Sequence, residues 1–202
     1  MRGLAFIAGF LMMGLPQGTV FHYNDWRGIV PLHSTRADVE RLLGPPPPRP
    51  KNSTRLYTPG PASSYYFFEN EDVSIVYMTD QLAERTGCSA FPVDMVIGII
   101  VYLKDHLPLN DLGIDQKKFV THDPSKPPNL GFLAYVDNKD GVSICTRYGK
   151  VWEIIYYGEA RDRQVCPNFN GDPTESCSVL IGILDNPFRS EERRRSARSQ
   201  LV

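Results

Sequence analysis

The chain has 202 residues, 42% of them hydrophobic and 22% charged, and a formal net charge of −1 at pH 7. That balance does not favour a nucleic-acid or acidic-substrate partner held by bulk electrostatics. The length suits one ordinary domain or two small repeats sharing a core, and the Tyr and Phe content is what strands prefer.

Residues 1–18, MRGLAFIAGFLMMGLPQG, read as a signal peptide: Arg2 supplies the early positive charge and residues 4–15 are apolar throughout. At about 1.5 Å rise each, those residues reach roughly 18 Å, well short of the ~30 Å hydrocarbon core of a membrane. Pro16 breaks the run and Gly18 is small enough to precede a cleavage site. An uncleaved anchor and a buried N-terminal strand are the other readings of the segment. No cysteine lies near the cut, so a lipid-anchored mature end is not expected, and no later apolar run approaches membrane length.

The clearest helix spans 35–43. Thr35 and Asp38 form a T-x-x-D capping box, and Val39, Leu42 and Leu43 fall on one face. Gly44 is placed to end it in the left-handed conformation, and Pro45 forbids continuation. The run PPPPRP at 45–50 predicts a polyproline spacer, with a PxxP ligand as the weaker reading.

Strand signals follow at 65–68 and 73–78, separated by the turn ENED at 69–72. A loop carrying Cys88 leads to 95–103, whose VIGIIV run predicts a strand buried on both sides. The segment PLNDLGID at 108–115 predicts a short helix. Strands are then expected at 131–136, 142–148 and 150–158, with turns at 137–141 and Gly149. NEDVSI at 70–75 returns as NKDGVSI at 138–144, and VPLHS at 30–34 returns weakly as LPLND at 107–111.

The expected fold is therefore α+β: tandem αβββ units forming an antiparallel sheet with helices packed on one face, leaving a broad solvent-facing sheet surface. The organisation would be a signal peptide at 1–18, an exported domain at 19–166 with units near 26–104 and 105–158, and a turn-rich segment with a basic tail at 167–202. The tail, with its arginines from 189 onward, reads as a solvated terminus or as a contact for anionic lipid or nucleic acid.

Four cysteines, Cys88, Cys145, Cys166 and Cys177, lie behind the predicted leader. An even set in an exported chain argues for disulfides, with three full connectivities open. Cys88 and Cys166 both lie in loop-like stretches just beyond strands, which favours pairing them and leaves Cys145 for Cys177.

The stretch WRGIVPLHSTRADVERLLGPP at 26–46 resembles the opening of small exported bacterial domains of the SmpA/OmlA (BamE) type and of β-lactamase-inhibitor-protein-like repeats. Thr35, Val39, Leu42, Leu43, Gly44 and Pro46 carry the match. The resemblance implies a threonine-capped helix followed by an antiparallel meander. This chain lacks the lipobox cysteine of the envelope lipoproteins and has two units where BamE has one. The longer string also resembles an uncharacterised secreted family from soil bacteria, in which the later strands and loop cysteines recur in the same order. The matching positions are structural, so the resemblance transfers no functional residue.

No segment carries a reaction-specific motif. His22, His33, His106 and His122 lack zinc spacing, although His106 and His122 have Asp105 and Asp123 as neighbours. There is no G-x-S-x-G and no phosphate-binding glycine loop. Glu69, Glu71, Asp72 and Asp94 supply carboxylates for a glycosidase-like pair, but a solvated turn accounts for them more simply. Adjacent strand tyrosines must point to opposite faces, so one of Tyr156 and Tyr157 is expected to be exposed. With Trp26 and Trp152, they are the candidate binding residues. The expected function is an exported, non-catalytic module, without cofactor or metal, that contacts a protein or envelope component through its sheet. A secreted hydrolase with a non-local site and a structural envelope component are the alternatives.

Overall fold

The computed structural model describes residues 22–48, 50, 61–123 and 132–164. The predicted leader, Cys166, Cys177 and the basic tail lie outside the described residues.

Helix α1 (Arg36–Leu43) forms because its ends are specified chemically. The Thr35 backbone N–H and hydroxyl both donate to Asp38 Oδ2, at 3.0 and 2.8 Å, and the Asp38 N–H returns to Thr35 Oγ1 at 3.3 Å. Gly44 ends the helix at φ 80°, with an extended ψ of 177° rather than the left-handed helical value expected. Val39 is fully buried and Leu43 packs beside it, but Leu42 is 44% exposed, so the apolar face is narrower than the sequence spacing implies.

Strands β1 (Ser63–Phe67), β2 (Glu71–Tyr77) and β3 (Val96–Leu103) make one antiparallel meander, and β5 (Phe132–Asp137), β6 (Val142–Arg147) and β7 (Lys150–Tyr156) make another. The short strand β4 (Val120–His122) adds to β5 at the outer edge. All seven form one antiparallel sheet in the order β1-β2-β3-β7-β6-β5-β4. The two meanders join through β3 and β7, with Ile100 opposite Ile155 and Tyr102 opposite Glu153.

The two halves are not identical. The second begins with a 3-10 turn at Leu109–Leu112 where the first has α1, and it carries the extra strand β4. The loop expected around Cys88 contains a helix, α2 (Asp80–Thr86), capped by Thr79 and closed by Gly87 in the left-handed conformation. A last short helix, α3 (Ala160–Arg163), follows β7.

Alternation along the strands sorts the apolar side chains onto two faces. On the first, Val73, Ile75, Tyr77, Ile99, Val101, Ile144 and Tyr156 pack with Trp26, Ile29, Leu109, Phe119 and Val39 of α1. On the second, Ile100, Tyr102, Ala134, Val136, Cys145, Ile155 and Tyr157 form a separate cluster. Each of the isoleucines buried in these layers stabilises the fold by about 1.5–3 kcal/mol. At one end of the second face, Leu82 and Ala83 of α2 pack with Val76, Met78, Cys88 and Ile97. The two longer helices therefore lie on opposite faces, which corrects the expectation that helices gather on one.

Candidate binding surface

The four aromatic residues singled out from sequence go to different places. Trp26 and Ile29 exchange backbone hydrogen bonds, each 3.0 Å, across a tight turn in which Arg27 and Gly28 have φ of 53° and 79°. The Trp26 ring enters the first-face core, edge-on to Phe68 at 5.7 Å, and is only 6% exposed. Arg27 covers both rings, its Cζ 5.0 Å from Trp26 and 4.0 Å from Phe68, and pairs with Glu71 at 2.8 Å. Trp26 is thus a core residue beneath a guanidinium.

Tyr156 and Tyr157 do point to opposite faces, in the first and second clusters respectively. Neither is exposed, at 4% and 9%, so the expectation of one solvent-facing member is wrong. Burial pushes both phenols well above the usual tyrosine range. Alternation dictates direction, but exposure requires a bare face, and neither face is bare beneath these residues. The broad solvent-facing sheet surface expected from sequence is absent there for the same reason.

Trp152 is half-buried on the second face, beside a cluster that sequence reasoning missed. Phe132 meets it edge-on, with ring centroids 6.3 Å apart. Arg147, directly opposite Phe132 in the register, places its Cζ 5.0 Å over that ring and 5.4 Å from Tyr148. Tyr148 itself is 73% exposed. It sits in a two-residue hairpin turn, since Arg147 pairs with Lys150, and it has φ of 52° ahead of Gly149 at 74°. Both central residues of such a turn need positive φ, which is why Asn-Gly and Asp-Gly dominate there. An exposed tyrosine in that place is strained, and left-handed backbone costs about 1–2 kcal/mol for a residue with a Cβ. The segment before the 3-10 turn flanks the hairpin: Val151 N–H donates to Leu107 and Leu109 N–H to Gly149, bringing the 41%-exposed Leu107 to the same end. One end of the sheet thus presents an apolar and aromatic surface carrying a guanidinium. Its sequence signal was Arg147-Tyr148-Gly149-Lys150, a tight turn holding an aromatic where a small polar residue is standard.

The candidate chemistry does not assemble. His33 Nε2 lies 2.9 Å from Asp162 and His22 Nδ1 3.2 Å from Asp25. Among the described residues no hydrogen bond joins His106 to His122, which lie after β3 and in β4 respectively. The hairpin-region carboxylates are dispersed onto separate cations: Glu71 on Arg27, Asp72 on Lys104 at 3.1 Å and Asp94 on Arg36 at 2.8 Å. No group of three or more metal-ligating side chains forms among the described residues. No described helix is long and apolar enough to cross a membrane. Neither Cys88 nor Cys145 is a free thiol. No family model, curated protein or solved structure matches the chain.

Proposed function

We propose that this chain is an exported, non-catalytic interaction module that contacts a protein or cell-envelope component. The contact is made by the hairpin end of the sheet, through Tyr148, Arg147, Phe132, Trp152 and Leu107. The observation that carries this reading is Tyr148, held 73% exposed at a positive φ of 52° where a smaller residue would be unstrained. Strain retained at an exposed aromatic is a pointer to a role outside the fold. Exposed Tyr, Trp and Arg side chains are also the types that dominate binding hot spots. Arg147 stacked on Phe132 keeps part of its donor set available to a partner.

The same proposal includes export through the 1–18 leader, a secreted or periplasmic location, and disulfides in the mature domain. It also includes the descent of the two meanders from one αβββ unit, as in the BamE-like and inhibitor-like repeats that 26–46 resembles. The same proposal gives the arginine-rich tail a second contact, with anionic lipid.

The test is retention of the oxidised mature chain on immobilised envelope and secreted fractions of the native cell. Wild type is retained, and Tyr148→Asn loses retention while keeping the fold. Equal retention of both proteins would sink the hairpin-end reading.

A further inference from the structure

The hairpin end of the sheet carries two positive charges that the described fold leaves uncompensated. Arg147 and Lys150 face each other across the two-residue turn, and Phe132 lies opposite Arg147, so the three form one row across β5, β6 and β7. Residues opposite each other on antiparallel strands point to the same face, with Cβ atoms about 5 Å apart. The two cations therefore stand side by side on the second face, both exposed, with half-buried Trp152 behind them and Tyr148 at the tip.

Arg27, Arg36, Arg41, Lys104, Lys118 and Arg161 each lie 2.8–3.7 Å from a carboxylate. Among the described residues no carboxylate pairs with Arg147 or Lys150, although Asp105 and Asp111 lie on the exposed segment beside the turn. Arg147 lies over Phe132, its Cζ 5.0 Å from the ring centroid, so one face of the guanidinium is occupied and the N–H groups along its edge remain for an anion. A phosphate accepts two of them at once.

The shape of this end narrows the choice of partner. A stable protein contact takes about 800 Å² from each side, spread over roughly 20–30 residues. The tip is a single turn, Arg147, Tyr148, Gly149 and Lys150, with Leu107 beside it. A phospholipid surface makes no such demand. Tyrosine rings settle at the headgroup level, lysine and arginine reach the phosphates, and apolar side chains enter the acyl boundary. Tyr148 at 73% exposure, Leu107 at 41% and the two cations supply each of these parts.

We propose that the hairpin end docks on the headgroup layer of a membrane rich in anionic phospholipid. Tyr148 and Leu107 enter the interface, and Arg147 and Lys150 hold lipid phosphates. The contact rests on the hairpin-end reading above, naming its partner as lipid rather than protein, and it is separate from the arginine-rich tail.

The test uses the chain purified from its native cell, so wild type and variants share one N-terminus and one tail. Wild type sediments with vesicles of phosphatidylglycerol and phosphatidylcholine, and far less with phosphatidylcholine alone. Arg147→Gln/Lys150→Gln and Tyr148→Asn each bind the anionic vesicles about tenfold more weakly. Tyr148→Trp binds as wild type does, and the emission of its added indole shifts to the blue and is quenched by brominated acyl chains. Equal binding by wild type and Arg147→Gln/Lys150→Gln assigns the lipid contact to the tail and overturns the proposal. An added indole that neither shifts nor is quenched overturns it too. If the double substitution lowers the urea midpoint, Tyr148→Trp decides alone. Loss of Tyr148→Asn from envelope fractions, with no wild-type binding to either vesicle, overturns the lipid assignment and leaves an interaction module with a protein partner. Full retention of Tyr148→Asn on those fractions removes the hairpin-end reading itself.

Discussion

The guanidinium carbon of Arg36 lies 3.9 Å from the ring centroid of the fully buried Tyr77. The same group donates from Nε to Asp94 at 2.8 Å and from its terminal nitrogens to Ser64 Oγ at 3.4 Å and the Pro61 carbonyl. Its backbone N–H donates to the Asp94 carbonyl at 2.8 Å. One side chain thus joins the first turn of α1 to β1, β2 and the loop before β3. Burial raises the Tyr77 phenol above its usual range, so the ring meets Arg36 as neutral tyrosine. Arg36→Ala is expected to lower unfolding stability by about 2 kcal/mol, after discounting for the half-exposed Asp94. Arg36→Lys does not restore it, because an ammonium cannot both stack and donate along a planar fork. Urea unfolding of the three proteins checks this, and equal midpoints would refute it.

Two glycines of similar backbone conformation are expected to behave differently. Gly141 and Gly149 have φ of 71° and 74°. A Cβ at Gly149 meets nothing within 4 Å, whereas one at Gly141 would lie 2.0 Å from the Gly158 carbonyl oxygen. Gly149→Ala should therefore lose only the left-handed penalty, about 1 kcal/mol. Gly141→Ala must also push β7's exit away from the 137–141 turn, breaking the 2.9 Å bond from Tyr157 N–H to Gly141, and should lose about 4 kcal/mol or more. Thermal unfolding of both variants separates the two effects. Similar losses would mean that the close approach is not maintained in solution.

Acid sensitivity should be readable at the first turn of α1. The Thr35 backbone N–H, then the Thr35 hydroxyl, then Arg41 at 3.1 Å hold the Asp38 carboxyl down to about 2 from an ordinary 3.8. The folded value is below the unfolded one, so this contribution is fully present above the unfolded value and fades as pH falls from 3.8 towards about 2. Asp38→Asn should flatten that part of the stability profile and leave the slope above pH 5 unchanged. Thr35→Ala, which also removes the cap, should lose about 1 kcal/mol at neutral pH. Denaturant midpoints across the acid range test both, and an Asp38→Asn profile parallel to wild type below pH 4 would contradict the assignment.

What could be read in advance follows the range of the interactions. Thr35, Asp38 and Gly44 act on neighbours three or four residues away, and α1 lies where their spacing places it. The six longer strands lie close to their predicted spans, because period-two patterning is written along each one. Leu42 was misplaced because the width of an apolar stripe depends on what packs opposite. Helix α2 was missed although Thr79 and Gly87 bracket it, since seven residues carry little periodic signal. The burial of Tyr157 depends on what lies over the sheet, which local pattern does not encode. The Arg147, Tyr148, Phe132 and Trp152 group escaped notice because it depends on register between strands distant in sequence.

The hairpin turn sets stability against binding in a way a single substitution can expose. Tyr148 has φ of 52°, and asparagine tolerates the left-handed region better than tyrosine. Tyr148→Asn should therefore raise unfolding stability, by about 0.5–1 kcal/mol, even though it removes the contact with Arg147. At 73% exposure, the ring contributes little burial that could offset the gain. The same substitution deletes the most exposed aromatic of the proposed contact, and retention on envelope or secreted fractions should fall. Lys150→Ala, a change on the same hairpin without aromatic content, should leave stability nearly unchanged and reduce retention far less. A variant that is more stable and still fully retained would show that the strained tyrosine serves neither fold nor partner.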